Sequence, residues 1–314
     1  MLDAASDSAI PWLTPALTEA ITRQVSGWLG APWRIVRTRD CSDNASHPAA
    51  ILAGDSFAAF VKLGYDALAA DRFRREADGL HLLRERAGVQ TPACIGVVSA
   101  EGAVALLLEA VQELERGSDF WPQLGRTLAQ LHGVTAAQFG LSTDCYWGDL
   151  HQDNTQATDW VEFFWTRRLA PRLRAAVDSG NLPPAFIAPI ERIGARLPEL
   201  CGPAVTPALL HGDAHKNNFL ATPRGPVLID PSVHYGHPEM DLAYIDFFEP
   251  VPADVLAAYA EVAPLAPGFA ARRELWRLPA RLAMVEVGGP AYLDKLDASV
   301  RHYESSYPFT GHVP

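Results

Sequence analysis

Between Leu209 and Phe248 the chain reads LLHGDAHKNNFLATPRGPVLIDPSVHYGHPEMDLAYIDFF, and this stretch constrains the fold more than any other. His211-Gly212-Asp213 stands at its head, Asn218 follows five positions after that acid, and Asp230 comes twelve positions later. Phe219-Leu220, a turn written Pro223-Arg224-Gly225-Pro226 and the apolar run Val227-Leu228-Ile229 predict a small β-hairpin between the two acids. Such a hairpin returns Asp230 towards Asn218 and Asp213, so three oxygen-bearing side chains converge at one end of a rigid element. Phosphoryl transfer uses this set: one acid to accept a hydroxyl proton, and an Asn with a second Asp to hold Mg²⁺ against nucleotide phosphates. The Asp-x-x-x-x-Asn spacing is that of a kinase catalytic loop. The plainer reading is a polar surface loop carrying two acids by coincidence, and residues upstream argue against it.

The first of these is Lys62. It lies in an otherwise apolar strand, Phe57 to Leu63, where an ammonium needs a partner. A helix from about Asp66 to Ala87 follows, with Phe73, Ala77, Leu80 and Leu83 on one stripe and Gly88 at its end. Glu76 interrupts that stripe, fourteen positions beyond Lys62. A strand lysine paired with a helix glutamate aims a kinase lysine at the α/β-phosphates; the alternative is a solvated pair on the surface. Ahead of this strand, Thr14-Pro15 opens a helix whose Leu17, Ile21, Val25 and Trp28 share a face until Gly30. Trp33 to Thr38 and Ala49 to Ala53 read as further strands, and Ala93 to Val98 with Val104 to Leu108 as a hairpin about Ser99–Gly102.

Beyond that hairpin the chain turns mostly helical. Leu124, Leu128 and Leu131 mark one helix, stopped at His132-Gly133. Asp159 caps a longer one, rich in Trp160, Phe163, Phe164 and Leu169, which Pro171 should kink or split. Its aromatics read as core, and His132 as a buried, hydrogen-bonded histidine. Pro238 suits the first turn of a helix that carries Asp241. Further helices are expected from about Ala253 to Ala260 and from Ala271 to Val287, with a frayed tail from Ser305 to Pro314.

These motifs, in this order, resemble the fructosamine (ketosamine) kinase family, a branch of the kinase-like fold shared with aminoglycoside and choline phosphotransferases. The family pattern HGDLW-x-G-N, hairpin, DPA-x-x-YG-x-x-E-x-DLA corresponds to His211–Asn218, Asp230-Pro231-Ser232 and Tyr235–Ala243. Phe60-Val61-Lys62, Phe73 to Leu83, Leu124 to His132, and Gln152, Asn154 and Asp159–Phe164 match its other segments, so the likeness spans nearly the whole chain. The resemblance implies an α+β, protein-kinase-like fold. A nucleotide-binding lobe of antiparallel strands and one main helix would occupy 1–111, and a mainly helical catalytic lobe 112–314. It implies an ATP- and Mg²⁺-dependent kinase that phosphorylates the 3-hydroxyl of a ketosamine, a protein-deglycating activity. Asp213 is then the catalytic base, Asn218 and Asp230 the metal ligands, and Lys62 with Glu76 the phosphate-positioning pair. Glu109 and Val111 form the adenine-binding hinge, and Asp241 braces the catalytic loop.

The pattern departs from the family at two points. His215 occupies the place of the family Trp, which makes it a candidate substrate-contacting residue. The turn Asp40-Cys41-Ser42-Asp43-Asn44 lies where a glycine-rich loop would cover the phosphates, and it has no glycine. Backbone N–H groups can still cradle a phosphate there, and an ordinary hairpin connection is the alternative. Cys41 is a redox-active tip residue or, as a lone loop cysteine usually is, inert. His-Gly-Asp-x-His also occurs in aminoglycoside-, choline- and macrolide-type kinases, which keeps that reading open. A nucleotide-binding regulatory pseudokinase is the third reading, and the intact Lys62, Glu76, Asp213, Asn218 and Asp230 argue against it.

Composition narrows the partners. Lys+Arg 26 against Asp+Glu 37 leaves a net charge of −11, which disfavours nucleic acid and anionic membrane and leaves a small-molecule substrate. Met1–Ala4 lacks the basic start of a signal peptide and the longest apolar run, Ala103–Leu108, is too short for a bilayer, so a cytoplasmic protein is expected. Cys41, Cys94, Cys145 and Cys201 are scattered and offer neither a zinc nor a disulfide pattern.

Overall fold

The computed structural model describes residues 10–42 and 47–306. Asp43 and Asn44 of the predicted phosphate-covering turn, the N-terminal residues read for a signal peptide, and the tail from 307 onward lie outside the described residues. The chain forms two compact units: Met1–Phe120 with Phe219–Pro231, and Trp121–Asn218 with Ser232–Pro314.

The first unit is a five-stranded antiparallel sheet with two helices. In chain order it holds α1 (Pro15–Leu29), β1 (Arg37–Asp40), β2 (Ala49–Ala53), β3 (Ala58–Gly64), α2 (Ala69–Ala87), β4 (Cys94–Ala100) and β5 (Ala103–Glu109), with strand order β1-β2-β3-β5-β4. Thr14 caps α1 by accepting the Leu17 N–H at 3.2 Å, Gly30 ends it at φ 67, and Leu17, Ile21 and Val25 are buried against the sheet. The β4–β5 turn needs positive φ at both central residues, and Glu101 (φ 50) and Gly102 (φ 80) supply it. Alternation along β3 sends Ala59, Val61 and Leu63 into the core beneath α1 and turns Phe60 towards the α2 side. Lys62 shares the face of Phe60, and this is how the lysine meets the helix.

Two boundaries differ most from the sequence reading, each for a local reason. The first strand starts at Arg37 rather than Trp33, because the Trp33 backbone bonds to the Ser26 hydroxyl (N to Oγ, 2.9 Å) and its indole donates to Phe57 O at 3.0 Å. Helix α2 starts at Ala69 rather than Asp66, because Asp66 turns the chain by accepting the Leu68 N–H at 2.9 Å and pairs with Arg72 at 2.6 Å. The sequence reading places the lobe boundary near Gln112. Here Leu114 N–H bonds to Ala221 O (2.7 Å), Arg116 to Phe219 O (3.0 Å) and Leu228 N–H to Gln90 O (2.8 Å), which binds residues 219–231 into the first unit.

From Trp121 the second unit takes in the rest of α3 (Phe120–His132), the ribbon β6 (Cys145–Trp147) and β7 (Leu150–Gln152), α4 (Trp160–Phe163), α5 (Ala170–Asp178), α6 (Ile187–Ala195), α7 (Leu197–Leu200) and β8 (Ala208–Leu210). The hairpin β9 (Phe219–Thr222) and β10 (Gly225–Leu228) belongs to the first unit. Then come β11 (His234–Gly236), α8 (Glu239–Tyr244), α9 (Asp254–Val262), α10 (Phe269–Gly288) and α11 (Leu293–Ser306). Trp160, Phe163 and Phe164 join Leu275, Trp276 and Leu282 in its core, as the aromatic run predicts. Pro171 does not break the helix: residues Phe164–Leu169 form a π-turn, with Ala170 N–H bonding to Trp165 O, and α5 continues beyond it. Widening the ladder accommodates a residue with no N–H to give. Ser305 and Ser306, read as frayed, are the last residues of α11. No helix among the described residues is long and apolar enough to cross a membrane.

Candidate active site

Three predicted residues meet in the first unit. Lys62 is 7% exposed, and its Nζ donates to Glu76 Oε1 at 2.8 Å and to Asp230 Oδ1. Burial alone would lower the ammonium's pKa, but Asp230 first and Glu76 second outweigh it and hold Lys62 charged. Glu76 moves the other way: burial raises its pKa, and the attraction of Lys62 only partly offsets that. Asp230 adopts φ 54, an unusual value for a residue with a side chain and one that Asp tolerates better than most. It follows β10 and ends the hairpin, whose two-residue turn Pro223-Arg224 pairs Thr222 with Gly225. The direct Lys62–Asp230 pair was not foreseen; an apolar strand lysine and a second acid after a hairpin were the signals available.

Asp213, His215 and Asn218 lie in the second unit, on the loop that leaves β8. The loop is shaped by backbone bonds to a single carboxylate. Asp241, fully buried on α8, accepts the His211 N–H at 2.7 Å and the Gly212 N–H at 2.9 Å, and His132 Nε2 lies 3.1 Å from it. Burial would raise the Asp241 pKa, but His132 and these donors outweigh it and hold the group ionised. His132 is fixed in turn by Tyr259 Oη at 2.9 Å. Gly212 has φ 80, and a Cβ there would meet Ser232 O at 1.9 Å, so only glycine fits. Trp147 on the β6–β7 ribbon donates its indole N–H to Gly212 O at 2.8 Å, a brace the sequence reading missed.

Asp213 emerges from this frame half-buried. Asn218 Nδ2 donates to both Asp213 O (2.8 Å) and Asp213 Oδ2 (3.1 Å). The amide orientation this imposes leaves the Asn218 oxygen as the group available to a cation. His215 Nε2 stands 3.7 Å from Asp213 Oδ2, too far for a hydrogen bond, and its ring meets Phe248 edge-on at 5.0 Å between centroids. In the first unit, the hinge candidates Glu109 and Val111 sit at and just beyond the end of β5. The Val111 N–H donates to no backbone group among the described residues. The Glu109 carboxylate accepts from Ala93 N–H at 3.0 Å and pairs with Arg224 at 3.1 Å.

The description "Fructosamine kinase" belongs to the family whose pattern matches residues 17–305. The chain belongs to that family. It is 33% identical over 275 residues to the "Probable ketoamine kinase" of Synechocystis sp., covering 86% of this chain and 90% of that one. It is 28% identical over 245 residues to the ketosamine-3-kinase of Mus musculus, covering 70% and 79%. A solved structure from Thermobifida fusca, described as a candidate fructosamine-3-kinase, superposes with TM-score 0.81 at 32% identity, covering 90% of this chain and 98% of that one. The fold is the protein-kinase-like fold of this family of phosphotransferases.

For a fructosamine kinase, the helix after the second acid has an evident purpose in this structure. Glu239 on α8 is buried against Arg272, at 2.8 and 2.5 Å, and accepts the Trp276 indole N–H at 2.8 Å. These bonds fix the helix that presents Asp241 to the loop. Arg272 and Trp276 were not singled out from the sequence, because nothing in their own neighbourhood marks them.

Proposed function

We propose that the protein is an ATP- and Mg²⁺-dependent kinase of ketosamines that phosphorylates the 3-hydroxyl of the sugar moiety. The single observation that carries the reading is Asp213 on a loop that Asp241 holds by its backbone, in a chain of the fructosamine kinase family. Asp213 receives the substrate hydroxyl, orients its oxygen at the γ-phosphorus and takes its proton as the new P–O bond forms and the bond to the β-phosphate oxygen breaks. Lys62, held by Glu76, positions the phosphates, and the backbone at Glu109 and Val111 receives the adenine. In this reading Met1–Phe120 with Phe219–Pro231 serves the nucleotide, and Trp121–Asn218 with Ser232–Pro314 the acceptor.

Asn218 and Asp230 suit a hard cation, since both offer oxygen and the Asn218 nitrogen is engaged by Asp213. Each is a ligand that the family pattern implies for Mg²⁺, which when bound would supply neutralising charge to the phosphates. The protein's own contribution is positioning, with groups fixed before the substrate arrives.

A coupled ADP-release assay on the full chain tests the reading, with arms for fructosyl- and ribulosyl-amines, aminoglycosides, macrolides and choline. Turnover on a ketosamine, with phosphate located on the 3-hydroxyl by NMR, is the expected result. Turnover confined to an aminoglycoside, a macrolide or choline would replace the substrate class. Nucleotide binding without turnover on any arm would mark a regulatory pseudokinase.

A further inference from the structure

The first unit carries a cavity of about 430 Å³ whose walls include Trp28, Phe57, Arg84, Gln90, Glu109 and Arg224. Neither Lys62, Glu76 nor Asp230 lines it. Trp28 is 44% exposed, an indole left at water beside the cavity, with its ring centroid 5.4 Å from that of Phe57 at an angle of 40°. The two arginines enter from different elements, Arg84 from the last turn of α2 and Arg224 from the β9–β10 turn. Arg84 spends one nitrogen on Thr91 O, and Arg224 one on Glu109 at 3.1 Å. Each guanidinium has five N–H donors, so both keep donors to offer a ligand. Two cations face one carboxylate here, in a chain of net charge −11.

We propose that this cavity binds a small planar aromatic anion, and that its occupancy is coupled to nucleotide binding. The aromatic pair supplies faces for a ring, and the guanidinium forks match a carboxylate or a phosphate. The volume falls within the range of ordinary small-molecule pockets. Coupling follows from Glu109, whose carboxylate faces this cavity while its strand end leads to Val111. It follows also from Arg224, on the turn of the hairpin that ends in Asp230. An anion that draws Arg224 away from Glu109 acts on both. The binding stands on the cavity alone; the coupling rests on the kinase reading above.

Isothermal titration of the full chain tests both halves. The probes are indole-3-carboxylate, phenyl phosphate and the neutral indole-3-carboxamide, each with and without saturating ADP. At least one anion should bind with one-to-one stoichiometry, and the two anions decide between carboxylate and phosphate. Arg224→Gln, on an exposed turn, should weaken that anion about tenfold, the loss of one charge-assisted contact. Trp28→Ala should also weaken that anion in the same titration, by removing the ring face. ADP should leave the stoichiometry at one and shift the affinity, with the anion shifting ADP affinity by the same factor. Silence from both anions, equal binding of the carboxamide, or displacement by ADP would overturn the site. Binding indifferent to ADP would overturn the coupling. Neither result bears on whether the enzyme phosphorylates ketosamines, which the turnover assay reads separately.

Discussion

The Lys62 cluster and the His-Gly-Asp loop are held by different forces. The first is three ionisable side chains, and its geometry exists because an ammonium with little access to water sits between two carboxylates. The second is backbone, shaped by one buried carboxylate that accepts two N–H groups and by a glycine that no other residue can replace. A charge-held cluster rearranges when charge is added, as a polyphosphate and its cation would add it. A backbone-held loop keeps its shape whatever binds. The molecule thus assigns adaptability to one set of residues and preorganisation to the other.

The largest effect expected is on the preorganised side. Asp213→Asn should lower kcat by about 10²- to 10⁴-fold, the usual worth of a positioned base. The loop should survive, since Asn218 retains its bond to the backbone oxygen of residue 213. Turnover and the thermal midpoint, measured together, check this. A variant with more than a tenth of the original rate would break the comparison, because the loop would then be preorganising something other than catalysis.

The charge-held side should respond in the opposite way, through stability. Lys62→Met leaves Glu76 and Asp230 facing each other without their cation, a loss on the order of 3–5 kcal/mol for a buried group stripped of its partner. Adding Asp230→Asn to that variant should recover part of the loss, since the remaining repulsion is removed. Denaturant unfolding of the single and double variants reads this, and additive losses would show that the pair is not coupled. Asp230→Ala and Asn218→Ala should each raise the Mg²⁺ concentration needed for half-maximal rate. Unchanged Mg²⁺ titrations in both would refute them as ligands.

Acid sharpens the contrast further. Burial lowers the pKa of His234 to about 3 and of His237 to about 4, so these second-unit histidines are neutral in the fold. The unfolded chain binds their protons from about pH 6.5 downward and the fold does not, so their stability is present above that pH and lost as pH falls. At pH 5 the loss is roughly 2 kcal/mol for each. Glu76, raised by burial, has the opposite sign: the fold holds its proton more tightly, and acidification favours it. Hydrogen exchange at pH 7.5 and pH 5 should therefore show β11 losing protection before β3. Equal loss in both strands would mean that the histidines do not govern the acid response.

Much of this division was legible in the sequence, and what was not has physical reasons. The lysine, the glutamate and the acid of the His-Gly-Asp loop announce themselves by chemistry that is costly elsewhere: an ammonium in an apolar strand, an acid on an apolar stripe, a glycine before an acid. Helix α1 was legible from its apolar face and caps, and strand β2 from an apolar run between polar turns. The π-turn before Pro171 was not, because a proline says that a donor is missing and not how the ladder closes around it. Trp147 and Arg272 were equally hidden. Their partners lie 65 and 33 positions away, and only the fold brings them near. Which unit the hairpin joins was hidden as well, since Leu114 and Leu228 bind it through backbone groups that every residue possesses.

The smallest expected effect concerns His215, the departure that separates this loop from its family pattern. The loop around it is fixed, so a change at this position alters what the acid faces and leaves the acid in place. The imidazole is smaller than an indole and polar, and its Nδ1 is buried with no hydrogen-bond partner among the described residues. The ring as a whole is partly exposed, and a polar ring at this position favours a substrate that brings a hydroxyl or an amine. Beside it, Phe248 is 43% exposed and offers an apolar edge that an indole at position 215 would extend. The protein as it stands should therefore act weakly on simple fructosamines and better on a more polar amine or sugar derivative. His215→Trp should move preference towards the fructosyl-amine by about 1–2 kcal/mol, the scale of one aromatic contact. The measurement is the ratio of kcat/KM for a fructosyl-amine and for the best alternative substrate, in both proteins. A ratio that already favours the fructosyl-amine and does not move with the swap would show that His215 is a bystander. Substrate choice would then rest on residues outside the loop, and the preorganised region would carry the chemistry without the specificity.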